Sequence, residues 1–241
     1  MDSAAQASWI HYVPVGTTIL AALFSTDLMR RYLRRGNPNL LWWAGGIACY
    51  GLGTLFEAVI TIFGNTVLLT KGWYVAGAIL GGYPLAQGSV YLLYSRRFAN
   101  TTTAITLPVI VVTSILVFLS PPVPGALEPH RPSGAVLAWS WVRLMTPFIN
   151  SYAVFFLIGG AAWSAWRYYK LGTERNRALG NTLIATGAIL PGIGGSIAKV
   201  GSVEALYVLE FLGLICIWAG DRACSRRAHA PVLAGSSPLR A

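Results

Sequence analysis

Charged side chains are scarce in this chain. Only 11% of its 241 residues are Asp, Glu, Lys or Arg, whereas 55% are hydrophobic and the mean hydropathy is +0.57. A soluble domain carries about 25% charged residues, so the composition excludes a soluble globular protein. A helix needs about 20 apolar residues to cross the hydrocarbon of a bilayer, and such spans with short loops account for nearly the whole length. The sequence therefore predicts a single membrane domain.

Histidine and cysteine are also rare, with three residues of each. His11 and His130 are predicted near or outside the outer membrane face and His229 in the C-terminal tail, so no intramembrane histidine accompanies the acidic residues. Zinc sites and haem sites between helices need such ligands. The cysteines match no zinc spacing, and none is placed on the oxidising side, so a disulfide is not expected. We therefore expect neither a cofactor nor a metal site.

The charge that is present is mostly positive, with a net value of +10. Most basic residues follow the first, third, fifth and last apolar runs: Arg30, Arg31, Arg34, Arg35, Arg96, Arg97, Arg167, Lys170, Arg175, Arg177, Arg222, Arg226, Arg227 and Arg240. Cytoplasmic loops of membrane proteins retain Lys and Arg, so this alternation predicts seven transmembrane helices, with the N-terminus outside and the C-terminus in the cytoplasm. On that side the basic residues would contact membrane lipids, and we expect no nucleic-acid partner.

The predicted spans cover roughly residues 12–31, 40–63, 73–95, 104–120, 147–168, 178–200 and 203–222. Residues 1–222 would form the membrane domain, and residues 223–241, rich in Ala, Pro, Ser and Arg, a disordered basic cytoplasmic tail. Fifteen arginines against three lysines, with abundant Ala and Gly, favour a bacterial protein of the plasma membrane.

Prolines and glycines add detail to this plan. Pro84 and Pro191 fall inside the third and sixth spans, where each is expected to kink its helix. Residues 135–142 could form a short interfacial helix before Pro147. The second and sixth spans have similar glycine placement, which suggests that spans one to three and five to seven are parallel copies, with the fourth as a linker.

Two carboxylates and one ammonium fall in one predicted layer of the membrane. Glu57 lies roughly 9 Å below the outer end of the second span, and Glu210 lies roughly 10 Å below the same surface in the seventh. Lys199 ends the sixth span, with a stem long enough to reach inward. Polar residues predicted to complete a binding site with these three are Tyr74, Asn150 and Tyr207 in the outer half and Gln87 near the midplane.

Ionisable groups inside a membrane are costly, so this layer is a candidate functional site between spans two, three, six and seven. One interpretation is a structural ion pair of Glu57 or Glu210 with Lys199. The second is an outward-facing site that binds the proton, cation or amine of a substrate, with Lys199 as the counter-charge. The third is catalysis by paired carboxylates, which no neighbouring histidine or activated serine supports.

Three classes of function follow from these interpretations. The favoured one is a small membrane carrier or ligand-binding protein that takes a small molecule or an ion. The alternative is a non-transporting receptor or interaction subunit, and the third is an intramembrane lipid-modifying enzyme. Two acidic residues near the predicted cytoplasmic side are expected to form ion pairs and not to belong to the candidate site. Asp27 should pair with Arg31 four residues later, and Asp221 with the adjacent Arg222.

Overall fold

The computed structural model describes residues 9–172, 174–199 and 202–225, and every regular element within them is a helix. The β-type pairings among these residues are two isolated bridges, Pro122–Leu137 and Glu128–Arg131. The predicted all-α class is therefore confirmed. The predicted tail lies outside the described residues from position 226 onward, while residues 223–225 belong to the last helix.

The α-helices in chain order are α1 (Val13–Arg35), α2 (Pro38–Phe63), α3 (Val67–Trp73), α4 (Tyr83–Leu93), α5 (Arg96–Leu119), α6 (Ser140–Ala153), α7 (Gly160–Leu171), α8 (Arg175–Lys199) and α9 (Val203–Ser225). Two π-helical segments connect neighbouring helices: Tyr74–Ile79 continues α3, and Val154–Gly159 joins α6 to α7. Pro38 opens α2, where its missing N–H would have had no helical partner.

Six helices in the described part of the chain are long and apolar enough to cross a membrane. They are Ile10–Arg35, Pro38–Phe63, Arg96–Leu119, Ser140–Leu171, Arg175–Ala198 and Val203–Ser225. Their outward sides carry many exposed aliphatic and aromatic residues, among them Phe63, Phe148 and Phe155. These are the features of a multi-pass membrane protein, whose surface faces lipid rather than water.

The predicted third span is interrupted. It was expected as one kinked helix over residues 73–95, whereas α3 begins earlier, at Val67, and the π-helical segment ends at Ile79 before α4 starts at Tyr83. Thr66 explains the early start, because its hydroxyl caps α3 by accepting from Leu69 N at 3.2 Å. Gly81 and Gly82 lie in the break, directly before Tyr83 and Pro84, the proline at which a kink is predicted.

The fourth and fifth spans are longer than predicted. α5 starts at Arg96, because the Ser95 hydroxyl caps it by accepting from Phe98 N at 3.3 Å. The fifth span begins at Ser140 and passes through Pro147, so residues 140–142 are the first turn of α6 and not part of a separate interfacial helix. Pro191 likewise lies inside an unbroken α8. Membrane helices tolerate such prolines when neighbouring groups satisfy the freed carbonyl.

The connection between α5 and α6 is folded against the helices. Lys71 of α3 is buried there, and its ammonium donates to the carbonyl oxygens of Phe118 at 2.9 Å and Ser120 at 2.6 Å. Both carbonyls belong to the C-terminal end of α5, where a positive charge is favourable. The Ser120 hydroxyl also accepts from Trp139 N at 3.1 Å. These contacts hold the connection against α3.

A ring of helices encloses the centre of the molecule, and its members differ from the six candidate spans: α1, α2, α4, α7, α8 and α9. α1 packs on α2 and α9, α2 packs on α4, α4 packs on the Val154–Gly159 segment, α7 packs on α8, and α8 packs on α9. α5 and α6 lie outside this ring, against the Tyr74–Ile79 segment and α4. Glycines permit the closest approaches: a Cβ at Gly213 of α9 would lie only 2.7 Å from the Gly187 oxygen, which Pro191 leaves without a helical donor.

Candidate functional site

The two carboxylates predicted to share a layer meet in the structure. Glu57 projects from α2 and Glu210 from α9, and their carboxyl groups lie close enough to share a hydrogen bond. The side chain of Glu57 is only 1% exposed. Glu210 as a whole is partly buried, although its Oε2 atom is buried. The pair lies at the end of α2 that leads to Gly64 and near the start of α9.

Part of the hydrogen-bonding capacity of this pair is unused. Trp73 Nε1 donates to Glu57 Oε1 at 2.7 Å, but Oε2 of Glu57 and Oε2 of Glu210 are both buried and have no hydrogen-bond partner among the described residues. Buried polar atoms in native proteins nearly always have partners, because an unpaired one costs the free energy of its desolvation. Oδ2 of Asp27 is also buried without a hydrogen-bond partner among the described residues, but the Arg31 guanidinium lies 3.6 Å from it. The acid pair instead brings two such acceptors together, where a proton or a cation could bind.

Two tyrosines form part of the surroundings. The Tyr50 hydroxyl donates to the backbone oxygen of Glu210 at 3.0 Å. The Tyr207 hydroxyl shares a hydrogen bond of 2.9 Å with Thr61, which ties α9 to the end of α2. Both rings lie within electrostatic range of the two acids. The site therefore consists of Glu57, Glu210, Trp73, Tyr50 and Tyr207.

Three residues predicted for this site make their described contacts elsewhere in the fold. Tyr74 is next to Trp73 but turns toward α6, where its hydroxyl bonds to Thr146 at 2.7 Å. Successive residues on a helix differ by about 100° in direction, so the two rings cannot face the same neighbour. Asn150 is on α6, which packs on α4, α5 and the Val154–Gly159 segment.

Gln87 is the third residue outside the site. It is fully buried on α4, donates to Ala99 O at 3.0 Å and Thr103 Oγ1 at 2.7 Å, and accepts from the Tyr152 hydroxyl at 2.5 Å. These bonds tie α4 to α5 and α6. All its hydrogen-bonding groups are engaged within the fold, in contrast to those of the acid pair.

The predicted counter-charge has no described contact. Lys199 is the last residue of α8, and its side chain lies outside the described part of the structure. An ion pair between Lys199 and either glutamate therefore stays a prediction. Glu204, at the same end of α9, is exposed and lies 3.9 Å from His11 Nε2, so it does not extend the acid pair.

The acidic residues at the arginine-rich ends of α1 and α9 form a network that the sequence predicts only in part. The predicted pair of Asp27 with Arg31 is present, at 3.6 Å. The predicted interaction of Asp221 with Arg222 is replaced by two contacts between helices: Asp221 binds Arg31 of α1, and Arg222 lies 3.2 Å from Asp27. The sequence does contain an indication of this network, because Asp27 and Asp221 both lie near the C-terminal ends of their helices.

A cavity of about 450 Å³ lies inside the ring of helices. Its deep walls are apolar and include Phe24, Ile47 and Leu157, whereas the opposite part is lined by polar and charged residues that include Arg35 and Arg177. Arg35 and Arg177 are exposed, so the cavity reaches the surface at the arginine-rich end. No feature of the sequence predicted this cavity, because it depends on how six helices are arranged around one centre.

Neither a known family model, nor a curated protein, nor a solved structure matches this chain in sequence or fold. The geometry of the acid pair and of the cavity is therefore the basis of the functional argument that follows.

Proposed function

We propose that this protein is a small carrier of a bacterial plasma membrane, with an acid-pair site that binds a proton, cation or amine. In this proposal the segment from α3 to α4 is a seventh, discontinuous span. The N-terminus then lies outside and the C-terminus in the cytoplasm, as the basic residues at the ends of α1 and α7 favour. Discontinuous helices are common near the binding sites of transporters, and α3 supplies Trp73 to the acid pair.

Glycine contacts support the proposed parallel repeat. On α2, a Cβ at Gly53 would lie 3.0 Å from Gly77 of the next segment, so the second and third spans approach each other closely. On α8, a Cβ at Gly180 would lie 2.7 Å from the Gly220 oxygen, so the sixth and seventh spans do the same. In both proposed copies, therefore, the glycines of the middle span accommodate the span that follows it.

The carboxyl pair is the observation that carries the proposal. Two carboxylates in contact in a buried site repel each other, and this repulsion is relieved when a proton or cation lies between them. Such a site binds its ligand reversibly, because both the occupied and the empty states are accessible. A purely structural role would instead require a counter-charge or a full set of hydrogen bonds, as the described residues provide for Gln87.

The relation of the acid pair to the cavity supports transport over mere binding. Ile47 lines the cavity, and Glu57 follows it by ten residues on α2, a rise of about 15 Å. Between these levels the helices are in close contact: a Cβ at Gly51 would lie 2.8 Å from Ala21 Cβ. This arrangement is typical of a carrier whose binding site is closed to the outside while a cavity is open to the cytoplasm.

Protonation of the pair can be measured directly. In infrared difference spectra recorded over a pH titration, a protonated carboxyl group gives its own carbonyl stretch. We expect this band in the wild-type protein and its loss in Glu57→Gln and Glu210→Gln. Glu204→Gln is the matched control, since Glu204 is an exposed acid at the start of the same helix.

Ligand binding and transport need a second experiment. Sodium, ammonium and methylammonium ions are added to the purified protein, and a ligand present at 100 times its Kd raises the free energy of unfolding by about 2.7 kcal/mol. Proteoliposomes containing a pH-sensitive dye then test whether the stabilising ion drives proton movement. Lys199→Gln tests the proposed counter-charge. If Glu57→Gln and Glu210→Gln leave binding and flux unchanged but lower the unfolding temperature, the pair is structural.

A further inference from the structure

We propose that the cavity inside the helix ring binds a single-chain amphiphile with an anionic phosphate headgroup. This inference concerns a second site, which shares no lining residue with the acid pair, and it does not depend on the carrier mechanism. The cavity has two chemically distinct parts, and each part restricts the ligand.

The deep part of the cavity is suited to a hydrocarbon chain. Phe24 and Leu28 of α1, Ile47 of α2, Leu85 of α4 and Leu157 of the π-helical segment line it. Apolar walls of this kind offer a polar ligand no hydrogen-bond partners. An alkyl chain makes no hydrogen bonds, so it loses none by contacting them. From Asn37 at the mouth to Ile47 the helix rises by about 15 Å, so the cavity is deep enough for an extended chain.

The mouth of the cavity is suited to an anion. Three arginines line this part, Arg31, Arg35 and Arg177, against one acidic residue, Asp221. Arg31 is engaged by Asp221, and Arg177 Nε lies 2.6 Å from Glu174, but Arg35 has no acidic partner within 4 Å among the described residues. Asn37 adds an amide donor at the mouth, whereas the amide of Asn181 donates to the Arg177 carbonyl at 2.8 Å. Guanidinium groups match the oxygens of a phosphate with paired hydrogen bonds, so a phosphate headgroup fits this mouth.

The volume of the cavity limits the size of the ligand. A cavity of about 450 Å³ lies within the usual range of small-molecule sites. It holds on the order of fifteen groups of the size of a water molecule. One chain of about ten carbons with a phosphate fills this space, whereas a phospholipid with two long chains does not.

Selection among the amphiphiles of a bilayer should depend on the headgroup more than on the chain, which all of them carry. Lipid tails are as apolar as the leucines of a membrane protein, so a chain that moves from the bilayer into the cavity gains little. The arginines therefore decide whether the ligand leaves the bilayer. This gives the proposal a specific test, because the sign of the headgroup charge should matter while the chain is kept constant.

The test uses the full-length protein in nanodiscs of a zwitterionic lipid, with decyl phosphate as the probe and native mass spectrometry as the readout. We expect one bound decyl phosphate per protein. Arg35→Gln and Arg177→Gln should each raise its Kd at least tenfold, because each removes charge-assisted hydrogen bonds. Arg34→Gln is the matched control, since Arg34 is exposed next to Arg35 but does not line the cavity.

A second pair of variants tests the cavity without changing charge. Ala161 is buried and lines the cavity, so Ala161→Phe should fill the space and abolish binding. Its neighbour Ala162 is exposed on the outside of α7, so Ala162→Phe should leave binding unchanged. Thermal unfolding of both variants shows whether a loss of binding comes from loss of the fold.

Defined outcomes would overturn the proposal. Decyltrimethylammonium binding as tightly as decyl phosphate would show that the arginines do not select an anion. Inorganic phosphate binding as tightly as decyl phosphate would assign the mouth to a soluble phosphate compound and leave the apolar part unused. Binding unaffected by both Arg35→Gln and Ala161→Phe would place the probe outside the cavity. Glu57→Gln should leave decyl phosphate binding unchanged, so failure of the carrier proposal is distinguishable from failure of this one.

Discussion

The acid pair of α2 and α9 and the charge network of α1 and α9, at the opposite end of the molecule, differ in how their charges are compensated. Asp27 and Asp221 each have an arginine partner on a neighbouring helix, and Arg31 contacts both. The carboxyl group of Glu57 lies beside that of Glu210, a group of the same charge. Among the described side chains, Trp73 is the neighbour that donates a hydrogen bond to Glu57. A charge whose partner has the opposite sign holds helices together, whereas two like groups side by side are free to take up a ligand.

The largest effect on stability is expected from breaking the compensated network. Asp221→Asn removes the charge that Arg31 binds, and the side chain of Asp221 is only 8% exposed. Leaving a partly buried arginine without this partner should cost about 3 kcal/mol of the free energy of unfolding. Unfolding by a denaturing detergent in mixed micelles measures this loss.

A double-mutant cycle separates the pair from its surroundings. Arg31→Gln combined with Asp221→Asn should cost less than the sum of the two single variants, because the double variant leaves no unpaired charge between α1 and α9. Additive effects would show that the contact between the two side chains contributes little.

A smaller effect is expected at Gln87, which is uncharged but fully satisfied. Gln87→Met keeps the volume but removes the acceptor for Tyr152 and the donor to Thr103. One or two buried polar groups without a hydrogen-bond partner should lower the free energy of unfolding by about 2 kcal/mol. The same unfolding titration measures this loss. Tyr152→Phe, which removes the other member of one bond, should cost less. Equal losses would contradict the view that Gln87 is the centre of this contact.

A still smaller loss is expected from Trp73→Phe. The indole donates the hydrogen bond to Glu57, and its removal leaves both oxygens of that carboxyl group without a donor other than Glu210. We expect a loss of about 1 kcal/mol and a changed proton affinity in the infrared titration. Trp42→Phe is the control, because Trp42 packs edge-on against Tyr83 with ring centroids 6.1 Å apart. An unchanged titration in Trp73→Phe would show that this bond does not tune the pair.

The two regions also differ in how far they can be predicted from sequence. Depth follows from counting residues at a rise of about 1.5 Å each, so the shared level of Glu57 and Glu210 could be predicted. The direction of a side chain around the helix does not follow from such counting, because packing sets it. The sequence therefore predicts Tyr74 at the site and not its neighbour Trp73.

Contacts between distant helices were the least predictable. Asp27 and Arg31 are one turn apart, so their pair could be found from local spacing. Asp221 had a nearer arginine in sequence but binds one on α1, since helix packing brings α1 and α9 together. The break between α3 and α4 is intermediate in predictability: Pro84 indicates a kink, but the sequence does not show that the glycines before it interrupt the helix.

The smallest change in stability is expected from Glu57→Gln. Glutamine keeps the shape of the side chain and the acceptor for Trp73, and its amide can donate to Glu210, so it relieves the contact between two like groups. We expect the free energy of unfolding to change by no more than about 0.5 kcal/mol while proton or cation binding is lost. Glu204→Gln should change neither quantity. A loss of about 3 kcal/mol in Glu57→Gln would instead mean that an unseen counter-charge stabilises this carboxylate, and the acid pair would then belong with Asp27 and Asp221 as a structural element.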